Sequence, residues 1–286
     1  MACGIVVVDK PADWTSQDVA AKLRGVYHQR RVGHGGTLDP MATGVLPVFV
    51  GRATRAVEFF EAAEKEYVTT LRLGMVTDTQ DTTGRVLEER PVAVTEEQVA
   101  ALLPRFRGSQ AQIPPMYSAV KIGGQKLYQL ARQGREVERQ PRQIVIEELE
   151  LLGRRGNDYR LRVRCSKGTY IRTLCHDIGQ ALGCGGAMAA LRRTAAGPFA
   201  EGASVPLADL LAAEDPERYL LPVDTLFRSL PAVTLTEAQV KPCRNGAAIP
   251  MAGSGRRRVY GPDGTFLMVG RLERGKLLTE KSFFEV

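Results

Sequence analysis

At 286 residues, with 44% hydrophobic and 25% charged side chains, the chain can hold one large domain plus a small one and has the profile of a folded protein. No apolar run approaches the ~20 residues of a membrane helix, and the opening MACGIVVVDKPADW lacks the basic segment and apolar length of a signal peptide, so a cytoplasmic location is expected. The formal charge is +7, and Lys121 to Arg172 holds all of that excess (thirteen Lys and Arg against six Asp and Glu), which points either to a polyanion such as nucleic acid or to a solvated charged surface.

Residues 4–8 (GIVVV) read as a buried strand, and Ser16 as the cap of a helix carrying Val19, Leu23, Val26 and Tyr27. A glycine-rich loop, RVGHGGTLDPMATG, leads into a strand at 45–50, which Pro47 marks as an edge or bulged strand. A short helix near 52–62, a strand at 66–73, the turn cluster TDTQDTTG and a strand near Val86 follow. Thr95 opens a T-x-x-Q capping box before a helix. QIPPMYSAVKIGG reads as extended chain and hairpin, 125–134 as a short helix stopped by Gly134, and 142–152 as a strand. In 159–165 the alternation sets Tyr159, Leu161, Val163 and Cys165 on one face and Arg160, Arg162 and Arg164 on the other.

After Gly168 a helix carries the stripe Ile171, Leu174, Cys175, Ile178 and Leu182; 191–200 is extended, and 206–228 holds two short helices. From about 230 the chain turns to short strands, with GPDG as a hairpin signal, and reads as a small all-β domain. The whole reads as an α+β fold with a mixed, mainly antiparallel sheet flanked by helices, plus that tail. Domains are expected at 1–228, with an insertion at about 105–150, and at 229–286.

Five cysteines without a C-x-x-C pair and three histidines without ligand spacing argue against structural zinc and a disulfide scaffold. TDTQDTTG fails the calcium-loop pattern, because its fifth position does not fit and no helix pair flanks it. Ser118 and Lys121 form an S-x-x-K, but no S-D-N accompanies it, which disfavours a Ser–Lys acyl enzyme. No P-loop or dinucleotide fingerprint occurs.

Asp39, directly before Pro40, is either the cap of one turn or a nucleophile or general base held by a stiff loop. Arg172 sits in the first turn of a helix, where a cation opposes the dipole, so an anionic partner is expected, a carboxylate or a phosphate. Tyr67 lies on a strand, where core packing is the ordinary role.

Together these segments resemble the TruB-type tRNA pseudouridine synthases over nearly the whole chain. DKPADWTS (with Asp13 where that family usually has Gly), VGHGGTLDPMATGVLPV, KEYVTTLRLGMVTDTQDTTG and CSKGTYIRTL resemble its motifs in order, and PPMYSAVKIGGQKLYQLARQG resembles its RNA-gripping insertion. The tail resembles a PUA module. The resemblance implies isomerisation of uridine 55 in the tRNA T-loop to pseudouridine, with base flipping and with no cofactor; tRNA is the expected partner, with no metal and no membrane, and the chain is expected to be a monomer. It implies Asp39 as the nucleophile, with attack on C6, attack on C1′ and removal of the C2′ proton all open to it. Arg172 would pair with Asp39 and keep it ionised, and Tyr67 would stack on the flipped uracil and relay a proton. His34 would fill the gap left by the base or stack on turned-out nucleotides, and Asp81 would tie Arg172 or Tyr67. Lys10 would support the loop or touch phosphate. Lys121, Lys167 and Tyr170 complete the implied substrate-binding set. A non-catalytic RNA-binding or refolding protein on the same fold is the alternative.

Overall fold

The computed structural model describes residues 2–284. Strand β1 (Gly4–Lys10) is buried on both faces, as its unbroken apolar run requires. Helix α1 (Ser16–Val26) is capped by Thr15 rather than Ser16: the Thr15 hydroxyl accepts from the Asp18 amide at 3.0 Å and the Asp18 carboxylate accepts from the Thr15 amide at 3.1 Å. Ser16 is fully buried and joins the helix to the following loop, accepting from the Leu38 amide at 2.8 Å.

Strand β2 (Val32–His34) and β3 (Thr43–Val50) flank that loop. The 3-10 turn 51–56 and α2 (Val57–Glu61) lead to β4 (Lys65–Leu73), where alternate residues from Lys65 to Leu73 are buried. Strands β5 (Met75–Thr77) and β6 (Val86–Glu89) form an antiparallel pair around the TDTQDTTG turn. Helix α3 (Glu96–Leu102) carries the expected capping box between Thr95 and Gln98. After β7 (Gly108–Gln112) comes the hairpin β8 (Lys121–Ile122) and β9 (Gln125–Lys126), then α4 (Leu127–Arg132). Strands β10 (Arg142–Arg155) and β11 (Asp158–Cys165) pair antiparallel, and α5 (Ile171–Ala181), β12 (Gly186–Ala196), β13 (Phe199–Ala200), β14 (Val205–Pro206) and α6 (Leu207–Ala212) follow. Only one of the two helices expected in 206–228 forms. The remainder forms 3-10 turns at 216–219 and 223–227, each entered through a proline.

The main sheet runs β14-β1-β3-β12-β4-β11-β10-β7, with β13 on β12 and β2 on β3. Only β1·β14 and β3·β12 are parallel within it, so the sheet is mainly antiparallel. Pro47 does not lie on an edge: β3 has β1 on one side and β2 and β12 in succession on the other. The Pro47 carbonyl accepts from the Gly35 amide at 2.8 Å, on the β2 side. Its missing N–H faces the same way, into the seam where β2 ends and β12 begins, so no ladder bond to β1 is lost.

The arginine face of β11 is largely neutralised by its neighbours. Arg162 meets Glu150 at 2.9 Å and Glu148 at 3.3 Å, and Arg164 meets Glu64 at 2.7 Å. These two side chains are cross-strand partners rather than open cations.

The tail holds β15 (Ala232–Thr234), α7 (Glu237–Arg244), β16 (Ile249–Pro250), β17 (Gly255–Tyr260), β18 (Phe266–Glu273) and β19 (Lys276–Ser282). Its five strands form a separate sheet in the order β15-β17-β18-β19-β16, and GPDG closes the β17–β18 hairpin as expected. The tail also contains a helix that the strand-and-turn reading did not place, α7, capped by Thr236 and Gln239. One apolar cluster joins the two sheets: Phe49 and Phe199 from the first and Phe60 from α2, with Phe227, Val269 and Phe283. Phe227 stands edge-on to Phe59 at 5.3 Å between centroids and lies 5.9 Å from Phe283. No helix among the described residues is long and apolar enough to cross a membrane.

Candidate active site

The loop between β2 and β3 carries Asp39, and three groups hold it from below, the buried Ser16 and Lys10 and the backbone amide of Asp13. Ser16 grips Leu38. Lys10, with no solvent exposure, donates from Nζ to the carbonyls of Trp14 at 2.6 Å, Pro11 at 2.8 Å and Pro40 at 3.1 Å. The Asp13 amide also donates to Pro40 O, at 2.9 Å. The segment DKPADWTS therefore serves as the bracket of the Asp39 loop, and Lys10 is a support of that loop with no face toward solvent. Asp13 adopts φ 65°, a left-handed conformation that glycine takes freely and Asp tolerates better than most residues. Burial pushes the Lys10 ammonium down to about 8, against the raising influence of Asp13 and Asp39.

Asp39 caps no helix. Its carbonyl closes one turn with the Ala42 amide at 3.0 Å, and its carboxylate reaches across to α5. There Arg172 donates from Nη2 to Asp39 Oδ1 at 3.2 Å, and its Nε lies 2.9 Å from Oδ2, so the ion pair meets both carboxylate oxygens. The guanidinium is also fixed by Tyr117 O at 2.8 Å and Thr79 O at 3.1 Å. The Arg172 side chain is 6% exposed and the Asp39 side chain 33% exposed, so the cation is the buried partner and the carboxylate faces out.

Asp81 is buried and turned inward. One of its oxygens accepts from Thr79 Oγ1 at 2.8 Å, Thr83 Oγ1 at 2.5 Å and the Thr83 amide at 3.0 Å, and the other lies 3.8 Å from Arg172 Nε. It orders the turn whose Thr79 carbonyl holds Arg172. The start of α5 is fixed by Gln112 of β7, which accepts from the Tyr170 amide at 2.8 Å and donates to the Tyr170 carbonyl at 3.1 Å; the Tyr170 ring is half-buried.

Tyr67 of β4 lies in the main core, 8% exposed. Burial raises its phenol pKa; Arg193 opposes that rise and the Asp39 charge adds to it, which places all three in one electrostatic neighbourhood. His34, at the end of β2, is half-buried with Nδ1 lacking a partner, and burial followed by the Arg193 charge depresses its pKa, which favours the neutral imidazole. Lys121 and Lys167 are exposed and have no carboxylate partner among the described residues. Ser118 Oγ is buried without a hydrogen bond, so no contact joins it to Lys121 and the Ser–Lys arrangement is not formed.

The structure thus brings Asp39, Arg172, Asp81 and Tyr67 together, with His34 at the far end of the loop, and leaves Lys121 and Lys167 on the surface. Sequence reasoning missed Gln112, the Tyr117 and Thr79 carbonyls, and Arg193. Arg193 is 1% exposed and donates from Nε to Val45 O at 2.6 Å and from Nη2 to Gly36 O at 3.2 Å. Its one signal is the Arg192-Arg193 pair in LRRT, since successive residues on a strand point to opposite faces and one face of a core strand is buried.

A carboxylate presented outward on a buried guanidinium, with a core tyrosine beside it, is a site open to a group delivered from outside. Residues 24–171 match the family model for the N-terminal domain of TruB family pseudouridylate synthase, and residues 172–228 match that for the tRNA pseudouridylate synthase B C-terminal domain. The tRNA pseudouridine synthase B of Stutzerimonas stutzeri (strain A1501) is 46% identical over 284 residues, covering 96% of this chain and 93% of the relative. That of Dechloromonas aromatica (strain RCB) is 44% identical over 287 residues, covering 99% and 96%. Among solved structures, a Cbf5-Nop10-Gar1 complex matches with TM-score 0.75 and 29% identity over 98% of this chain and 85% of that one. An H/ACA RNP bound to a substrate RNA containing 2′-deoxyuridine matches with TM-score 0.74 and 27% identity over 99% and 85%. The chain belongs to the TruB family of pseudouridylate synthases, and it is an isomerase.

Proposed function

We propose that this enzyme isomerises uridine 55 in the T-loop of tRNA to pseudouridine, with Asp39 as its reactive carboxylate. The observation that carries the reading is the Asp39–Arg172 fork, buried on the cation side and open on the carboxylate side. The reaction balances with no co-reactant: the C1′–N1 bond breaks, the uracil turns, C1′–C5 forms, C5 gives up a proton and N1 gains one. A uridine folded into the T-loop must be turned out first, at a cost of a few kcal/mol that contacts with protein offset. Asp39 then meets the flipped nucleoside as a nucleophile, in an orientation fixed by Arg172. Tyr67, held as a phenol by burial, offers its face to the uracil and a hydroxyl that relays rather than initiates proton transfer. The exposed Lys121 and Lys167 meet T-arm phosphates. Residues 229–286 act as a PUA-like RNA-binding module on the catalytic part, 1–228.

The test uses tRNA transcript labelled with tritium at uridine C5. Asp39→Asn is expected to bind this RNA as the wild type does and to release no tritium, and carbodiimide mapping of wild-type product is expected to stop at position 55. Wild-type turnover by Asp39→Asn would refute the assignment, and a stop elsewhere would refute the position.

A further inference from the structure

We infer that Arg193 is a positioning residue of this active site, whose guanidinium fork ties the Asp39 loop to β3 and fixes the place of Tyr67 across the sheet. The inference deepens the catalytic reading above and rests on it. Arg193 is the largest fully buried side chain among the described residues. Buried charges are normally paired; even its half-exposed neighbour Arg192 is paired, with Asp9 at 2.8 Å and Glu201 also in contact. Arg193 has no carboxylate oxygen within 4 Å among the described residues, and it shares the interior with three other buried cations, Lys10, Lys65 and Arg172, of which Arg172 is paired with Asp39. A lone interior guanidinium costs stability, so its retention calls for a role that an apolar side chain cannot fill.

Its contacts identify the role. The two carbonyls it holds belong to Val45, on β3, and Gly36, in the loop that leads to Asp39. Gly36 has φ +116°, a conformation open to glycine, and the loop carbonyl is thereby free to turn inward. The Arg193 backbone pairs with Gly44 on one side and with Tyr67 on the other, and a Cβ at Gly44 would stand 2.2 Å from Arg193 O. One residue therefore touches the catalytic loop, the strand that follows it and the strand that carries Tyr67. Beyond this geometry, its charge opposes the burial-driven rise of the Tyr67 phenol. A single ammonium cannot reproduce a fork that spans two carbonyls.

The full-length wild type is compared with Arg193→Lys and Arg193→Gln by total tritium release, which reports turnover whichever uridine reacts; an error in the assigned position therefore appears only in the mapping experiment. Both variants are expected to lose kcat on the order of 100-fold, with KM for tRNA within about threefold of wild type, because Arg193 has no surface to offer RNA. Lys is expected not to rescue. Amide exchange is expected to quicken in residues 35–42 while the remaining core stays protected. Three results would overturn the proposal: wild-type kcat in Arg193→Lys, a loss carried by KM, or unchanged exchange in that loop alongside lost turnover. Loss of the melting transition in both variants would also overturn it, by assigning Arg193 to the core alone.

Discussion

Arg172→Lys separates charge from geometry at the centre of the site. The arginine makes four short contacts, two to Asp39 and one each to Tyr117 O and Thr79 O. A lysine keeps the charge but can hold the carboxylate only at the expense of the two carbonyls. Each carbonyl then loses a charged donor worth about 1.5–3 kcal/mol, so the variant should lose about 3 kcal/mol or more of stability. For a chain of this size that is a fall in Tm of roughly 5 °C or more. The carboxylate, released from a two-point fork, should drift on the order of 1 Å and cost about 100-fold in kcat. Affinity for tRNA should stay near wild type, since the guanidinium is 6% exposed. Differential scanning calorimetry and single-turnover tritium release measure the two effects separately. Arg172→Lys with native Tm and near-native turnover would show that a point charge suffices, and the geometric argument would fall.

Lys10 makes stability depend on alkaline pH. Its ammonium is lowered to about 8 in the folded chain, chiefly by burial, against an ordinary 10.5 when unfolded. Between those values the unfolded chain binds the extra proton, so stability from this group rises with pH, by up to about 3 kcal/mol. Urea midpoints of wild type should therefore gain on those of Lys10→Met from pH 7 to 10, and parallel curves would exclude the mechanism. Joint replacement of Lys121 and Lys167 by Ala should reduce the slope of log K against log[salt] for tRNA by roughly 1.4–1.8. Arg162→Gln should leave that slope unchanged, because Glu148 and Glu150 already engage its guanidinium. Filter binding at stepped salt distinguishes the two.

What the sequence discloses follows from the range of the interactions. The Asp39 loop is legible because its glycines and prolines encode local conformation, and the Arg172 partner is legible because a cation at a helix start needs an anion. The alternation of β11 is equally local. The fate of its arginines is not, since Glu64, Glu148 and Glu150 come from elsewhere in the sheet's neighbourhood. Pro47 misleads for the same reason: its tolerance depends on where β2 stops, a tertiary fact. Arg193 is hidden by register shifts in β12, between Met188 and Ala190 and between Arg193 and Ala195, which break the two-residue rhythm on both sides. The cap at Thr15 was readable, since Asp18 stands three residues on, but Ser16 beside it is an equally good capping type.

The phenylalanine cluster between the two sheets bears on any attempt to dissect this enzyme by truncation. Cutting the chain after Arg228 would strip Val269, Phe266 and Phe283 from Phe59, Phe60 and Phe227 and leave a wet aromatic scar on the remaining fragment. Such a stump would be prone to self-association, so poor turnover by a tail-less fragment would report damaged solubility as readily as a missing grip on RNA.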